Sequence, residues 1–464
     1  MARSRTELNI LPNLTTLEWQ SERLRPSLLL MGSTVKHFTV RLPNGPDHKI
    51  SNKISNFFED IAVRMPSLTY LDLSFDRPVR EIEIRIVHLL QSLHDLQKVV
   101  VPVYCLTSRV IECLSALPNL GTIQFEFMER QGKGDDLDVQ HFSPTLEESA
   151  FPALWDLSFS SHLNDATRFI GNRFGPNNLT SLYVHVLSAG EPSSVHEFIT
   201  TVSENCKLLT NLYIDQFLAP DAIDLAASRT AYRLTWEDLR PLLSCSKLTS
   251  FELRWDVPLN MSQSDIEELA SRWPSLKVLS LNSEPMLFIP AEPSPLTLRA
   301  LISFAQHCPN LRELGLYLSA TAADLTHLNS LALPPKLQPF LRLRKFCVGL
   351  SSITEPGPAA LFLSQLFPLG CEIVPGVGWP DGFGMPETAG NVDVLDEMQR
   401  RASEWYDRWV EVDRVLPMLT RLRLEEREKR NALEDEVEDL RLRCRLLEER
   451  KALPEEMDGS CLVV

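Results

Sequence analysis

The sequence predicts an α/β fold in which a run of repeats each adds one strand to a single parallel sheet, followed by a long C-terminal helix. Three observations point there. The pattern L-x-x-L-x-L recurs about a dozen times, as in Leu68-Thr-Tyr-Leu71-Asp-Leu73, Leu276-Lys-Val-Leu279-Ser-Leu281 and Leu311-Arg-Glu-Leu314-Gly-Leu316. The segments between carry apolar residues at helical spacing. Composition then changes sharply at Pro375, and the chain beyond Val392 reads as one helix. A repeat of this size cannot bury its apolar side alone, so it stacks on its neighbours.

In chain order, the first apolar position of each motif falls at Leu14, Val35, Leu68, Leu96, Leu120, Leu154, Leu179, Leu209, Leu248, Leu276, Leu311 and Leu343. The intervals run from 21 residues (Leu14 to Val35) to 39 (Leu209 to Leu248). A leucine-rich repeat takes about 20–29, so the longer units have room for a full helix. Ile50, Ile54, Phe57, Phe58 and Ile61 give one such helix its apolar stripe. Ser262 before Asp265, and Thr235 before Asp238, are helix-start signals. Pro66, Pro118, Pro152, Pro274 and Pro309 stop the helices just before the next strand. The expected architecture is an irregular leucine-rich-repeat solenoid, a horseshoe with strands on its concave face and helices outside. Curvature should be irregular, because the usual Asn or Cys after the last leucine is replaced by Phe75, Phe127, Ser283 and Leu318. Leu361 to Val374 should add a last helix and an edge strand.

The solenoid is assigned to residues 8–374 and a Gly/Pro-rich linker to 375–390. A C-terminal helix follows over 391–453, then a flexible tail over 454–464. Pro417 should kink the helix. Two readings of the helix compete. In one, Trp405, Trp409 and Leu416 dock on the last repeats as a cap. In the other, the seam Leu433, Val437, Leu440, Cys444 and Leu447 forms a coiled coil with another chain, a second copy or a different protein.

Bulk properties narrow the function. The formal charge of -16, from 46 basic and 62 acidic residues, disfavours nucleic acid or anionic lipid as the main partner. The nine cysteines form no C-x-x-C and read as reduced packing residues. The N-terminus lacks the apolar core of a signal peptide and no apolar run spans a bilayer, which predicts a cytoplasmic or nuclear protein. Cys461-Leu-Val-Val464 has the outline of a prenylation box, but Val is not a preferred last residue and acidic residues precede it, so an ordinary tail is expected.

No catalytic signature is present: G-x-S-x-G, H-E-x-x-H and the phosphate-binding loop are all missing, and the ten histidines are dispersed. Asp135-Asp136-Leu-Asp138 is acidic enough for calcium but lacks the EF-hand pattern and reads as a solvated loop. No cofactor or metal is expected. The expected activity is protein binding. Strand alternation turns the residues between the leucines onto the concave face. They are His37 and Thr39, Tyr70 and Asp72, Gln124 and Glu126, Tyr183 and His185, Tyr213 and Asp215, Glu252 and Arg254, then Glu313 and Tyr317. The mixture of aromatic and charged residues suits protein recognition.

The whole pattern resembles the leucine-rich region of fungal F-box proteins. The similar features are Met65-Pro-Ser-Leu68-Thr-Tyr-Leu71-Asp-Leu73, Trp273-Pro-Ser-Leu276, Cys308-Pro-Asn-Leu311 and Phe367-Pro-Leu-Gly-Cys371-Glu-Ile373. Trp409-Val-Glu-Val-Asp-Arg-Val-Leu-Pro-Met-Leu419 and a charged helix follow. The resemblance covers roughly residues 8–450. It implies the substrate-recognition part of a cullin-RING ubiquitin-ligase receptor, with the ligase adaptor as a further partner. The chain departs from that pattern because its repeats begin by Leu11 with no F-box before them. The alternative function is a scaffold that assembles through its C-terminal coiled coil.

Overall fold

A computed structural model describes residues 10–44, 48–126, 130–188, 190–216, 232–286, 294–321, 338–378 and 392–452. The strands in chain order are β1 (Thr16–Trp19), β2 (His37–Arg41), β3 (Tyr70–Ser74), β4 (Lys98–Pro102), β5 (Thr122–Glu126), β6 (Asp156–Ser161), β7 (Ser181–Val186), β8 (Asn211–Gln216), β9 (Ser250–Arg254), β10 (Val278–Leu281), β11 (Glu313–Leu316), β12 (Ser319–Ala320), β13 (Lys345–Gly349), β14 (Ser352–Ile353) and β15 (Glu372–Pro375). Thirteen of them form one parallel sheet in unbroken chain order, and β12 pairs with β14 separately. Each of the twelve predicted anchors lies two residues before a strand of the large sheet, and β15 is the expected edge strand.

Register follows from the leucines. Leu182, Leu212, Phe251, Leu279, Leu314, Phe346 and Ile373 lie opposite one another across β7 to β15. A slip of one residue would turn this buried rung to the other face. Parallel strands need crossovers, and helices supply most of them: α1 (His48–Arg64), α2 (Glu83–Ser92), α3 (Ser108–Ser115), α4 (Leu163–Ile170), α5 (Pro192–Asn205), α6 (Trp236–Leu239), α7 (Gln263–Arg272), α8 (Ala300–His307) and α9 (Pro356–Leu366). The two predicted helix starts are reciprocal caps, with the Ser262 and Thr235 backbone N–H groups each donating to the carboxylate three residues on, both at 2.7 Å. Helix and strand side chains merge into one apolar cluster from Leu17 to Leu416. Phe75 and Leu318, which replace the usual polar turn residue, are fully buried within it.

The last helix, α10 (Val392–Ala452), packs its first half on α9, β14 and β15 and carries Pro417 within its length. Trp405, Trp409, Val412 and Leu416 are buried there. Trp409 Nε1 donates to the Ser351 carbonyl at 2.9 Å, Arg408 donates to the Ile353 carbonyl at 2.8 Å, and Asp413 accepts the Ile373 N–H at 2.8 Å. The capping reading of this half therefore matches the packing. From Arg421 to Glu448 every residue is exposed. Most of the expected linker, residues 379–390, and the tail with Cys461 lie outside the described residues. Among the described residues no helix is long and apolar enough to cross a membrane. The eight described cysteines are unpaired, and burial pushes the Cys206, Cys308 and Cys371 thiols up to about 12.

Candidate functional site

One face of the sheet is covered by helices and the other carries the alternate side chains. Parallel pairing aligns these into rows. One row runs Ser158, Tyr183, Tyr213, Glu252, Ser280 and the next runs Ser160, His185, Asp215, Arg254. At their centre is a cleft of about 360 Å³ lined by Gln124, Asp156, Tyr183, Tyr213, Asp215, Glu252 and Arg254 among others. Six of these were predicted site residues. Asp156 was not, although the same alternation applied to β6 would have found it.

The cleft is polar and strongly tied together. Tyr183 and Tyr213 meet edge to face with ring centroids 6.1 Å apart. The Tyr183 hydroxyl donates to one Asp215 oxygen, and His185 Nδ1 lies 2.7 Å from the other. His185 Nε2 in turn lies 3.0 Å from the Tyr104 hydroxyl. His185 and Asp215 are 1% and 3% exposed, so they form the floor under the cleft. Gln124 donates to Asp156 at 2.6 Å. Burial raises the Asp156 carboxyl above its usual range. Burial also raises Glu252, against the opposing pull of the Arg254 guanidinium. Burial and the Asp215 charge hold the Tyr183 phenol well above its ordinary value. Asp156, Asp215 and Glu252 line the cleft beside one guanidinium, Arg254, while the Lys98 and Lys345 ammonium groups act on Asp156 and Glu252 from outside that lining, so carboxylates outnumber cations on the cleft wall itself.

The other predicted positions fall elsewhere. Tyr70 lies on β3 beside His37, centroids 5.6 Å apart, with the Lys98 ammonium 5.7 Å from its ring. Asp72 accepts from Gln131 at 3.0 Å. Glu126 ends β5 opposite Pro102, and its side chain lies outside the described residues. Tyr317 is buried in the main apolar cluster at 7% exposure, so it offers little surface to a partner.

The segment 130–139 lies over the sheet face near β3 to β5. Its Val139 joins Val103, Tyr104 and Phe125 in a second apolar cluster, with Tyr183 packed against it. Gly132 permits the close approach: it has φ +81°, and a Cβ there would stand 2.2 Å from the Phe75 carbonyl oxygen. The acidic run fastens this cover. Asp138 accepts the Val79 N–H at 2.6 Å and the Arg80 guanidinium at 2.7 Å, and Asp135 takes the other arm of Arg80 at 2.5 Å. Asp135 and Asp138 are thus occupied by protein donors, and among the described residues no group of His, Cys, Asp or Glu is placed to hold a metal. Val99, Val100 and Val101 are all buried, and such an unbroken apolar run is the sequence signal of a strand covered on both faces.

No protein-family model matches the sequence, and no curated protein matches it. In structure the chain is similar to one in the crystal structure of the Rad7 and Elc1 complex in yeast, at 14% sequence identity and TM-score 0.41, over 82% of this chain and 83% of that one.

Proposed function

We propose that the chain is a leucine-rich-repeat solenoid that binds protein on the open face of its sheet without catalysing a reaction. The observation that carries this reading is the cleft around Tyr183, Tyr213, Glu252 and Arg254 at the centre of that face. Paired tyrosines and an arginine in a partly desolvated hollow are the side chains that concentrate binding energy at protein interfaces. The excess of carboxylates favours a partner segment that brings a lysine, an arginine or other donors. The resemblance of the repeats to fungal F-box proteins supports a narrower reading, a ubiquitin-ligase substrate receptor. A second reading, a scaffold assembling through the C-terminal helix, draws on the exposed leucines of α10.

The test is selection of displayed peptides on the intact chain, followed by binding to the double variant Tyr213→Ala, Arg254→Glu. Loss of about 100-fold or more in affinity, with the variant still folded at the assay temperature, supports the cleft as the binding site. Selected peptides that bind both proteins equally place the site elsewhere. Coprecipitation of a cullin-RING adaptor with the chain supports the ligase reading, and its absence at stoichiometric adaptor sinks that part alone.

A further inference from the structure

We infer that the exposed half of α10 pairs with the same segment of a second copy of this chain, parallel and in register. This rests on the scaffold reading and specifies its partner. From Arg421 to Glu448 the helix leaves the body of the protein and is exposed on every side, with Leu433, Val437, Leu440 and Leu447 at 46–61% exposure. In proteins most of a helix's stability comes from packing its apolar stripe rather than from propensity.

The spacing selects the partner. Leu433, Val437, Leu440, Cys444 and Leu447 follow one another at alternating steps of four and three, which makes them heptad positions d, a, d, a, d. Leucine at every d with β-branched Val437 at a is the pattern of a parallel two-stranded coil. The flanking g and e positions are then Lys429 and Glu434, Glu436 and Arg441, Arg443 and Glu448. In a parallel in-register pair each g residue faces the e residue five places on in the other chain. All three pairs join opposite charges. Arg443 at present bonds Asp439 one turn back at 2.8 Å, but it is 70% exposed and able to turn across. An antiparallel pair that sets Val437 against Leu440 of the second copy buries one apolar layer fewer, because Leu447 of each chain meets Arg430 of the other. Arg430 and Arg423 at the preceding a positions close the seam on the N-terminal side, which confines the contact to the last turns. Leu442 and Leu446 fall at f and c, outside this seam.

The pairing has a direct reporter. A parallel in-register coil sets Cys444 against Cys444 of the second copy at an a layer, and a disulfide needs Cα atoms about 4.4–6.8 Å apart. The antiparallel coil sets Cys444 against Leu433 instead.

The experiment is sedimentation and mild oxidation of the full chain carrying Cys461→Ser, which removes the tail thiol; Cys444 is the only exposed thiol among the described residues. We expect a dimer at about 100 µM, where a micromolar association is nearly complete. Oxidation should give a covalent dimer that Cys444→Ser abolishes. Glu436→Arg should weaken association by about tenfold, since two attractive pairs become repulsive, and adding Arg441→Glu should restore it. A monomer at that concentration overturns both this inference and the scaffold reading as self-assembly. Association that is lost on deleting 425–464, yet gives no Cys444 cross-link and no charge-swap rescue, overturns the parallel register and leaves the scaffold reading standing. Dissociation by Leu442→Ser with Leu446→Ser, but not by Leu440→Ser, moves the seam and also overturns the inference.

Discussion

The indole N–H of Trp409, on the C-terminal helix, donates at 2.9 Å to the backbone carbonyl of Ser351, which lies between the last two strand units. The Ser351 hydroxyl meanwhile accepts the Leu318 N–H at 2.9 Å and donates to the Leu316 carbonyl at 3.0 Å. One residue therefore ties the helix to a strand two units back. Both side chains are fully buried, so the end of the repeat stack is closed by a hydrogen-bonded apolar plug rather than by a polar final repeat.

Trp409→Ala should destabilise the chain by about 3–5 kcal/mol, from the lost indole volume and a buried carbonyl left without its donor. Leu447→Ala, at 59% exposure, should leave the monomer's unfolding unchanged. Denaturant unfolding of both variants checks this. Equal losses would mean that α10 acts as one cooperative unit with the sheet.

Leu279→Ala and Leu314→Ala should each cost about 2–5 kcal/mol, because both leucines are at most 1% exposed and adjacent on one rung. The double variant should depart from additivity, since the two cavities share a wall. Calorimetry of the three proteins measures the coupling.

Asp138→Ala should cost about 1–3 kcal/mol by leaving the buried Val79 N–H unsatisfied. Its ion pair with Arg80 should add little, because Arg80 is 53% exposed. Calcium should not shift the melting temperature. A calcium-dependent rise would show that the acidic run binds metal after all.

Glu252 offers a pH test. Burial raises its folded-state pKa above the ordinary 4.5, so the folded protein holds the proton more tightly than the unfolded chain. Stability from this group is present below the unfolded value and is lost as pH rises through the folded one. Glu252→Gln should therefore raise the melting temperature at pH 7 and give no gain near pH 4. A gain of equal size at both pH values would show that charge is not the cause.

The sequence by itself determined the strands and their order. Each L-x-x-L-x-L places a buried leucine at fixed offsets, and a repeat with one apolar side has only its chain neighbours to cover it. It also determined which side chains share the open face, because alternation along a strand is local geometry. It named Trp409 and Leu416 as a docking stripe for the same reason, since helical spacing is local too. Tertiary structure decided how that face is used. Whether His185 and Asp215 are surface or floor depends on Tyr104, 81 residues before His185, whose hydroxyl reaches the imidazole. The fate of Asp135 and Asp138 depends on Arg80, more than fifty residues earlier. Tyr317 is drawn inward by apolar packing that no alternation rule contains. Such pairings join residues far apart in the chain, and their free energy exists only once the stacked sheet has brought them within hydrogen-bonding distance.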